Sequence, residues 1–203
     1  MPYELRFYVC RSAEAMAGVS RNLAGAGADM FARNGIEVLA AWHPGLGGWS
    51  NVLAYLCRFS TLADGAAAWQ AVAADQEWSA EKKRLADRLG GPPVESIRSW
   101  WMTTTDAPPD LGVWRAHRGL SVFGYWHAEG EPPREILATP GPSLLLSPIL
   151  GTALHVSVHQ LPQAHWDDAE VLAARLREAI AGSGYLVVKR DAGWFRSDDE
   201  ERP

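Results

Sequence analysis

The order of strand-like and helix-like segments in the first half of the chain constrains its fold more than any other feature. Tyr3 to Val9 alternates between apolar and polar side chains, the pattern of a strand with one buried face. Helical spacing follows from about residue 12 and stops at Asn34-Gly35. The next segments are strands at 36–42 and 51–59, helices at 61–74 and 75–89, and a strand at 94–102. This β-α-β-β-α-β order predicts a ferredoxin-like split βαβ unit in an α+β protein.

The second half of the chain has a weaker pattern. A turn-rich segment at 103–110 predicts a linker, and the proline-rich stretch 130–148 predicts loops. Strand-like segments lie at 120–128, 153–161 and 185–190, and an amphipathic helix is expected at 166–181.

Residues 153–195 repeat the strand, helix, glycine and strand order of residues 3–49. The second half is therefore interpreted as a degenerate or permuted copy of the first. The predicted domains are residues 1–105 and 111–196, followed by an acidic tail at 197–203.

Composition and charge narrow the class of function. The chain has 203 residues and a formal net charge of −5, and binding to phosphates needs a basic surface, so we expect no nucleic-acid partner. Cys10 and Cys57 are too few for a disulfide framework and are expected to be reduced. The sequence has no signal-peptide pattern and no unbroken apolar run long enough for a membrane helix. We therefore expect a cytoplasmic protein without a membrane partner.

Several stretches of the first half, taken together, resemble the NIPSNAP family over residues 3 to about 105. They are Tyr-Glu-Leu-Arg-Phe-Tyr (3–8), Asn-Gly-Ile-Glu-Val-Leu-Ala-Ala-Trp (34–42), Gly-Trp-Ser-Asn-Val-Leu-Ala-Tyr-Leu (48–56), Phe-Ser-Thr-Leu-Ala-Asp (59–64) and Asp-Gln-Glu-Trp (75–78). The resemblance implies a dimeric α+β barrel, in which two ferredoxin-like sheets close into a barrel, within one chain or across a homodimer. That superfamily contains polyketide cyclases, cofactor-independent monooxygenases, haem-using enzymes and proteins without known chemistry. Where many relatives carry a histidine in the third strand this chain has Tyr55, and Cys57 stands where an aromatic residue often follows.

The polar face of the first strand is the leading candidate for a functional site. Its members, Glu4, Arg6 and Tyr8, would supply an acid or base, an anion-binding group and a phenol. Because the apolar face of this strand should pack on helices, we expect the polar face to line the lumen of the barrel. The alternative is an internal Glu4–Arg6 ion pair that only satisfies the wall of a cavity.

Other candidates lie on the second and third strands and the loop between them. Trp42 and His43 flank a glycine-rich hairpin loop, where His43 could act as a general base or simply face solvent. Tyr55 and Cys57 share a strand face and could line the same cavity, although a free cysteine is more often a small buried apolar residue.

Two histidines on one strand of the second half are further acid–base candidates. His155 and His159 share a face but lie about 13 Å apart, too far for both to ligate one ion directly. A metal site would need His127 or His165 beside one of these two histidines. We expect neither a metal nor a cofactor. Buried histidines satisfied by hydrogen bonds are the alternative.

Together these features favour a cofactor-independent acid–base enzyme of specialised (natural-product) metabolism, such as a cyclase, isomerase, dehydratase or oxygenase. Its substrate would be a small, largely apolar organic molecule. The alternatives are a non-catalytic small-molecule-binding or interaction protein and, less favoured, a haem or metal enzyme. A homodimer is expected. The catalytic candidates are Glu4, Arg6, His43, His155 and His159, and the substrate-binding candidates are Tyr8, Trp42, Tyr55, Cys57 and His127.

Overall fold

Eight strands form a closed barrel in the computed structural model, which describes residues 1–46, 51–104, 120–127, 143–149, 154–160, 171 and 184–190. Four helices of the described residues belong to the first half of the chain. The elements are β1 (Pro2–Cys10), α1 (Ala13–Ala24), α2 (Ala26–Arg33), β2 (Glu37–Leu46), β3 (Val52–Arg58), α3 (Leu62–Ala74), α4 (Gln76–Leu89), β4 (Val94–Thr104), β5 (Leu120–His127), β6 (Ser143–Pro148), β7 (Leu154–Gln160) and β8 (Gly184–Arg190).

Side-chain caps define the helices of the first half. The side chains of Ser12, Thr61 and Asp75 accept hydrogen bonds from backbone N–H groups in the first turns of α1, α3 and α4. Gly90 ends α4 in the left-handed conformation, at a φ of 72°. The single helix expected from about residue 12 to 33 is instead two helices that meet at Gly25, a residue with low helix propensity.

The strand order contains the same pattern twice. The first half is arranged as β4-β1-β3-β2 and the second as β8-β5-β7-β6, so that β5, β6, β7 and β8 take the places of β1, β2, β3 and β4. Antiparallel pairing of β2 with β8 and of β4 with β6 closes the barrel within one chain. The sheet therefore needs no second copy to be complete.

This topology corrects two sequence-based interpretations. The expected repeat aligned β7 with β1, whereas the strand order aligns β7 with β3. The stretch 130–148 was expected to be loops, but its end forms β6, whose Leu144, Leu145 and Leu146 are buried. The predicted helix at 166–181, apart from residue 171, and the acidic tail lie outside the described residues, as do the domain boundaries at 105 and 111.

The inner face of the barrel is a packed apolar core. Tyr3, Leu5 and Phe7 of β1 lie in one buried cluster with Met102, Leu146, Val156 and Val158 from strands of both halves. An eight-stranded barrel is just wide enough for side chains to fill it. The expectation that the apolar face of β1 packs on helices, leaving Glu4, Arg6 and Tyr8 to line a lumen, is therefore wrong.

The opposite face of the first-half strands lies beneath the helices. Leu53, Tyr55 and Cys57 of β3 form a second buried cluster with residues of all four helices. A β-bulge between Val38 and Ala40 lets two consecutive residues of β2, Leu39 and Ala40, join the inner core. The polar residues of β1 thus lie between the sheet and the helices.

Gly65 of α3 allows the helix to approach the sheet closely. A Cβ atom at this position would overlap the Trp101 ring and lie 3.1 Å from Cγ of Phe59. We expect Gly65→Ala to lower the free energy of unfolding by about 1–3 kcal/mol, because overpacking outweighs the gain in helix propensity.

Urea unfolding of wild type and variant measures this effect. Gly25→Ala is the matched control, because the nearest atom to its Cβ would be the Arg21 carbonyl oxygen at 3.5 Å, an ordinary contact. Equal stability of Gly65→Ala and wild type would contradict the packing described for α3.

Candidate functional site

A buried acid–base pair lies on the helix side of β1. Glu4 is 2% exposed, and the side chain of Arg6 is 15% exposed. The Arg6 Nε atom lies 3.6 Å from Glu4 Oε1, which is an ion pair but too long for a hydrogen bond. Arg6 Nε has no hydrogen-bond partner in the part of the chain that the structure describes. The guanidinium therefore keeps donor capacity for another group.

Trp69 of α3 contacts both charged residues. Its indole Nε1–H donates a hydrogen bond to Glu4 Oε2, and its ring lies under the guanidinium, with Arg6 Cζ 3.8 Å from the ring centroid. Phe31 and Phe59 contact Trp69 with ring centroids 6.4 Å away. Trp69 thus fixes one oxygen of Glu4 and the plane of Arg6.

Sequence analysis did not identify Trp69. A signal existed, because Gly65, Ala68 and Val72 recur at helical spacing and are buried, which places Trp69 beside the inward face of α3. That signal shows that Trp69 is near the sheet, but not that it meets Glu4, a residue 65 positions earlier in the chain.

Two tyrosines extend the site along the sheet. The β1–β3 ladder places Arg6 opposite Tyr55 and Glu4 opposite Cys57. The hydroxyl oxygens of Tyr8 and Tyr55 are 3.0 Å apart, and Arg6 Cζ is 5.9 Å from the centroid of the Tyr8 ring. We call Glu4, Arg6, Tyr8, Tyr55, Cys57 and Trp69 the Glu4–Arg6 cluster.

Burial determines the protonation states of the cluster. It raises the pKa of the Glu4 carboxyl, an effect that Arg6 and hydrogen bonds from Trp69 and Ser99 only partly oppose. Burial lowers the pKa of Arg6, but Tyr55, Tyr8 and Glu4 outweigh it and raise that pKa overall.

The remaining polar groups of the cluster are neutral at physiological pH. Burial is the main cause that raises the pKa of Tyr8 and Tyr55, and it raises that of the Cys57 thiol well above its usual value. A thiol held in this form is a poor nucleophile. The cluster can therefore hold an anionic oxygen at Arg6 and exchange a proton at Glu4.

The structure brings four of the predicted site residues together with Glu4: Arg6, Tyr8, Tyr55 and Cys57. Trp42 lies elsewhere, in the inner core, where its Nε1–H donates to Ser121 Oγ at 3.3 Å. His43 is half-buried on β2, where its backbone pairs with Lys189 of β8.

The histidines of the second half also lie apart from Glu4. His155 and His159 are on β7, in the other half of the barrel. The side chain of His127, at the end of β5, lies outside the described residues.

The described residues contain no group of side chains suited to a metal ion and no disulfide. No three His, Cys, Asp or Glu side chains in these ranges could hold a metal ion together. The thiols of Cys10 and Cys57 are both free and buried. No helix in this part of the chain is long and apolar enough to cross a membrane.

Solved structures similar to this chain align either with about half of it or with nearly all of it. A NIPSNAP domain protein from Burkholderia xenovorans is 19% identical over 54% of this chain and 100% of its own, with a TM-score of 0.45. A NIPSNAP family protein from Agrobacterium tumefaciens is 21% identical over 53% of this chain and 96% of its own, with a TM-score of 0.45.

A third structure covers both halves. A candidate monooxygenase from Lactobacillus acidophilus is 8% identical over 93% of each chain, with a TM-score of 0.51. At that identity it supports the α+β barrel fold alone. The search of curated proteins returned no match.

The sequence model of the NIPSNAP family matches residues 3–107, which is just over half of the chain and includes the whole Glu4–Arg6 cluster. The match agrees with the resemblance expected over residues 3 to about 105. The chain belongs to the NIPSNAP family.

Proposed function

We propose that the protein is a cofactor-independent acid–base enzyme of specialised metabolism that acts on a small, largely apolar organic molecule. The observation that carries the proposal is the Glu4–Arg6 pair, buried beneath helices and enclosed by aromatic rings. Cyclisation, isomerisation, dehydration or oxygenation would all begin with proton transfer beside a stabilised oxyanion. The site also fits a protein that binds such a molecule without converting it, and the experiments below distinguish the two.

The geometry of the pair supports a functional role over a structural one. Elsewhere in the chain arginine and carboxylate groups meet directly, with Arg58 Nε 2.7 Å from Glu37 Oε2 and Arg33 making hydrogen bonds of 2.8 and 2.9 Å to Asp75. Arg6 and Glu4 are more deeply buried but remain 3.6 Å apart. A purely structural buried pair gains most from close contact, because burial removes both charges from water.

Arg6 would bind the oxygen on which negative charge develops. Its guanidinium is charged, its orientation is fixed by the ring of Trp69, and its Nε–H has no acceptor within the described ranges. Preorganised donors in a site with little water stabilise an oxyanion more strongly than the same donors in solvent. The substrate would thus carry a carbonyl or acidic oxygen on an apolar body.

Glu4 would move the proton. Its raised pKa makes it a stronger base than an exposed carboxylate, and burial is the main cause of that shift. Trp69 donates to Oε2, and Oε1 is the oxygen nearer Arg6, so a substrate oxygen bound at Arg6 would lie beside Oε1. The paired hydroxyl groups of Tyr8 and Tyr55 would orient the substrate. No histidine belongs to this cluster, so the acid–base role is assigned to Glu4.

The first prediction from the proposed function concerns turnover. We expect Arg6→Leu and Glu4→Gln each to reduce it by at least about 100-fold, the usual contribution of one oxyanion donor or one general acid–base group. The substrate is sought by incubating wild type and variants with a small-molecule extract and following consumed and formed species by liquid chromatography–mass spectrometry.

Arg58→Leu is the matched control, since it removes another strand arginine that pairs with a glutamate outside the cluster. It should retain wild-type conversion. Conversion by Glu4→Gln at the wild-type rate would refute the acid–base role. Native mass spectra that show a retained small molecule in wild type and Glu4→Gln, with no conversion by either, would identify a binding protein.

The second prediction concerns the pH dependence of stability. Because the pKa of Glu4 is raised by folding, its protonated form favours the folded state, and this contribution is lost as the pH rises through the folded-state pKa. Between the ordinary glutamate pKa of about 4.3 and the raised pKa of the folded state, wild type should therefore lose stability relative to Glu4→Gln.

Urea unfolding across this pH range measures the difference between the two proteins. Trp69→Phe gives a second test, because it removes a hydrogen bond that lowers the pKa of Glu4. It should move the loss of stability to higher pH. A pH-independent difference between wild type and Glu4→Gln would show that the carboxyl is not perturbed by burial.

The third prediction concerns a homodimer, which we propose to form through the edge of β4. Residues Glu95 to Ser99 are all exposed, and Ile97 is 47% exposed. Among the described residues, β6 pairs with β4 at Met102–Thr104 and the Ile149 N–H donates to the Trp101 carbonyl, which leaves the edge at Glu95–Ser99 open. Antiparallel pairing of two copies centred on Ile97 would place Ile97 against Ile97 and no like charges opposite each other.

Native mass spectrometry is expected to show twice the 22.2 kDa chain mass for wild type and one chain mass for Ile97→Lys. Val9→Ala, on the neighbouring strand β1, serves as a control that leaves the edge unchanged. A single-chain mass for wild type would contradict the dimer.

A further inference from the structure

The second half of the barrel holds two buried polar residues at positions equivalent to those of Tyr55 and Cys57. The ladders that join the halves fix an equivalence between them, because Trp42 pairs with Arg190 and Leu146 pairs with Thr104. The ladders within each half agree with it, with Pro2 matching Leu120, Trp42 matching Leu146 and Ala54 matching Val156. By this equivalence Ser157 and His159 of β7 occupy the positions of Tyr55 and Cys57 in β3.

Ser157 and His159 are buried on the outer face of the barrel. Their neighbours Val156 and Val158 point into the inner core, so the two polar side chains point away from it. Each is 1% exposed. Ser157 Oγ and both ring nitrogens of His159 have no hydrogen-bond partner in the ranges that the structure describes. Three unsatisfied polar atoms on neighbouring positions of one strand require an explanation, because such groups destabilise the fold.

The charged residues of the first cluster have no counterpart here. The β5–β7 ladder places Val122 opposite His159 and Gly124 opposite Ser157, where the first half has Glu4 and Arg6. Burial lowers the pKa of His159 to about 4, so its imidazole is neutral at pH 7, with one nitrogen as donor and the other as acceptor. The Ser157 hydroxyl adds one donor and further acceptor capacity.

We propose that Ser157 and His159 form a second small-molecule site, which takes an uncharged, mostly apolar molecule through a hydroxyl, enol or amide group. The chemistry differs from that at Arg6, which selects an anionic or polarised oxygen. The inference rests on the equivalence between the halves and on the unsatisfied buried atoms, and it does not depend on the catalytic role of Glu4.

The test uses two fluorinated aromatic probes, one neutral and one anionic. At pH 7, 4-fluorophenol is neutral and 4-fluorobenzoate is an anion, and ¹⁹F line broadening reports the binding of each. We expect His159→Leu and Ser157→Ala each to weaken 4-fluorophenol binding by about fivefold or more, the effect of losing one hydrogen bond. Arg58→Leu, which removes a strand arginine outside both sites, should leave 4-fluorophenol binding unchanged, whereas Arg6→Leu should abolish that of 4-fluorobenzoate.

A spectroscopic measurement separates binding from an indirect effect of mutation. In wild type, ¹H–¹⁵N spectra of the His159 ring should shift when 4-fluorophenol is added, because a ligand hydrogen bond selects one tautomer. His159→Gln, which keeps a donor and an acceptor, should recover part of the binding.

Any one of three results would overturn the proposal. The first is that wild type does not bind 4-fluorophenol, the second is that wild type and His159→Leu bind it equally, and the third is that the probe leaves the His159 ring signals unchanged. Any of them would assign Ser157 and His159 to the packing of the second half alone.

Discussion

The filled interior of the barrel determines where everything else in this protein can lie. An eight-stranded barrel encloses just enough space for side chains, and here apolar residues from both halves occupy it. Because strand residues alternate between faces, the polar residues of β1 are then directed outward, against the helices. The Glu4–Arg6 cluster is thus a consequence of core packing, and its charges are kept from water by α3 above and the sheet below.

Elements with strong local signals were predictable from the sequence. The alternation in β1 and the helices expected at 61–74 and 75–89 all correspond to elements of the structure. The strand β6 was not predictable from the sequence. Its buried Leu144–Leu146 run is short and lies between Pro142 and Pro148, in a stretch dominated by turn residues. Short apolar runs do not show their secondary structure by periodicity.

The candidate site was predictable in its members but not in its location. Alternation places Glu4, Arg6 and Tyr8 on one face and Tyr3, Leu5 and Phe7 on the other, but it contains no information on which face is enclosed by the barrel. Tyr55 and Cys57 were grouped by the same rule, and the ladder that joins them to β1 fixed their relation to Arg6 and Glu4. Trp69 could not be found this way, because its contact with Glu4 depends on how α3 packs across the sheet.

Closure of the barrel within one chain has a consequence for how its two halves can differ. In a barrel built from two identical copies, any substitution appears twice, so both copies of a site must share one chemistry. Here the two sheets are encoded separately, and equivalent positions hold Arg6 in one half and Gly124 in the other. Each half can therefore carry a site of different chemistry, while the apolar core that they share maintains the fold of both.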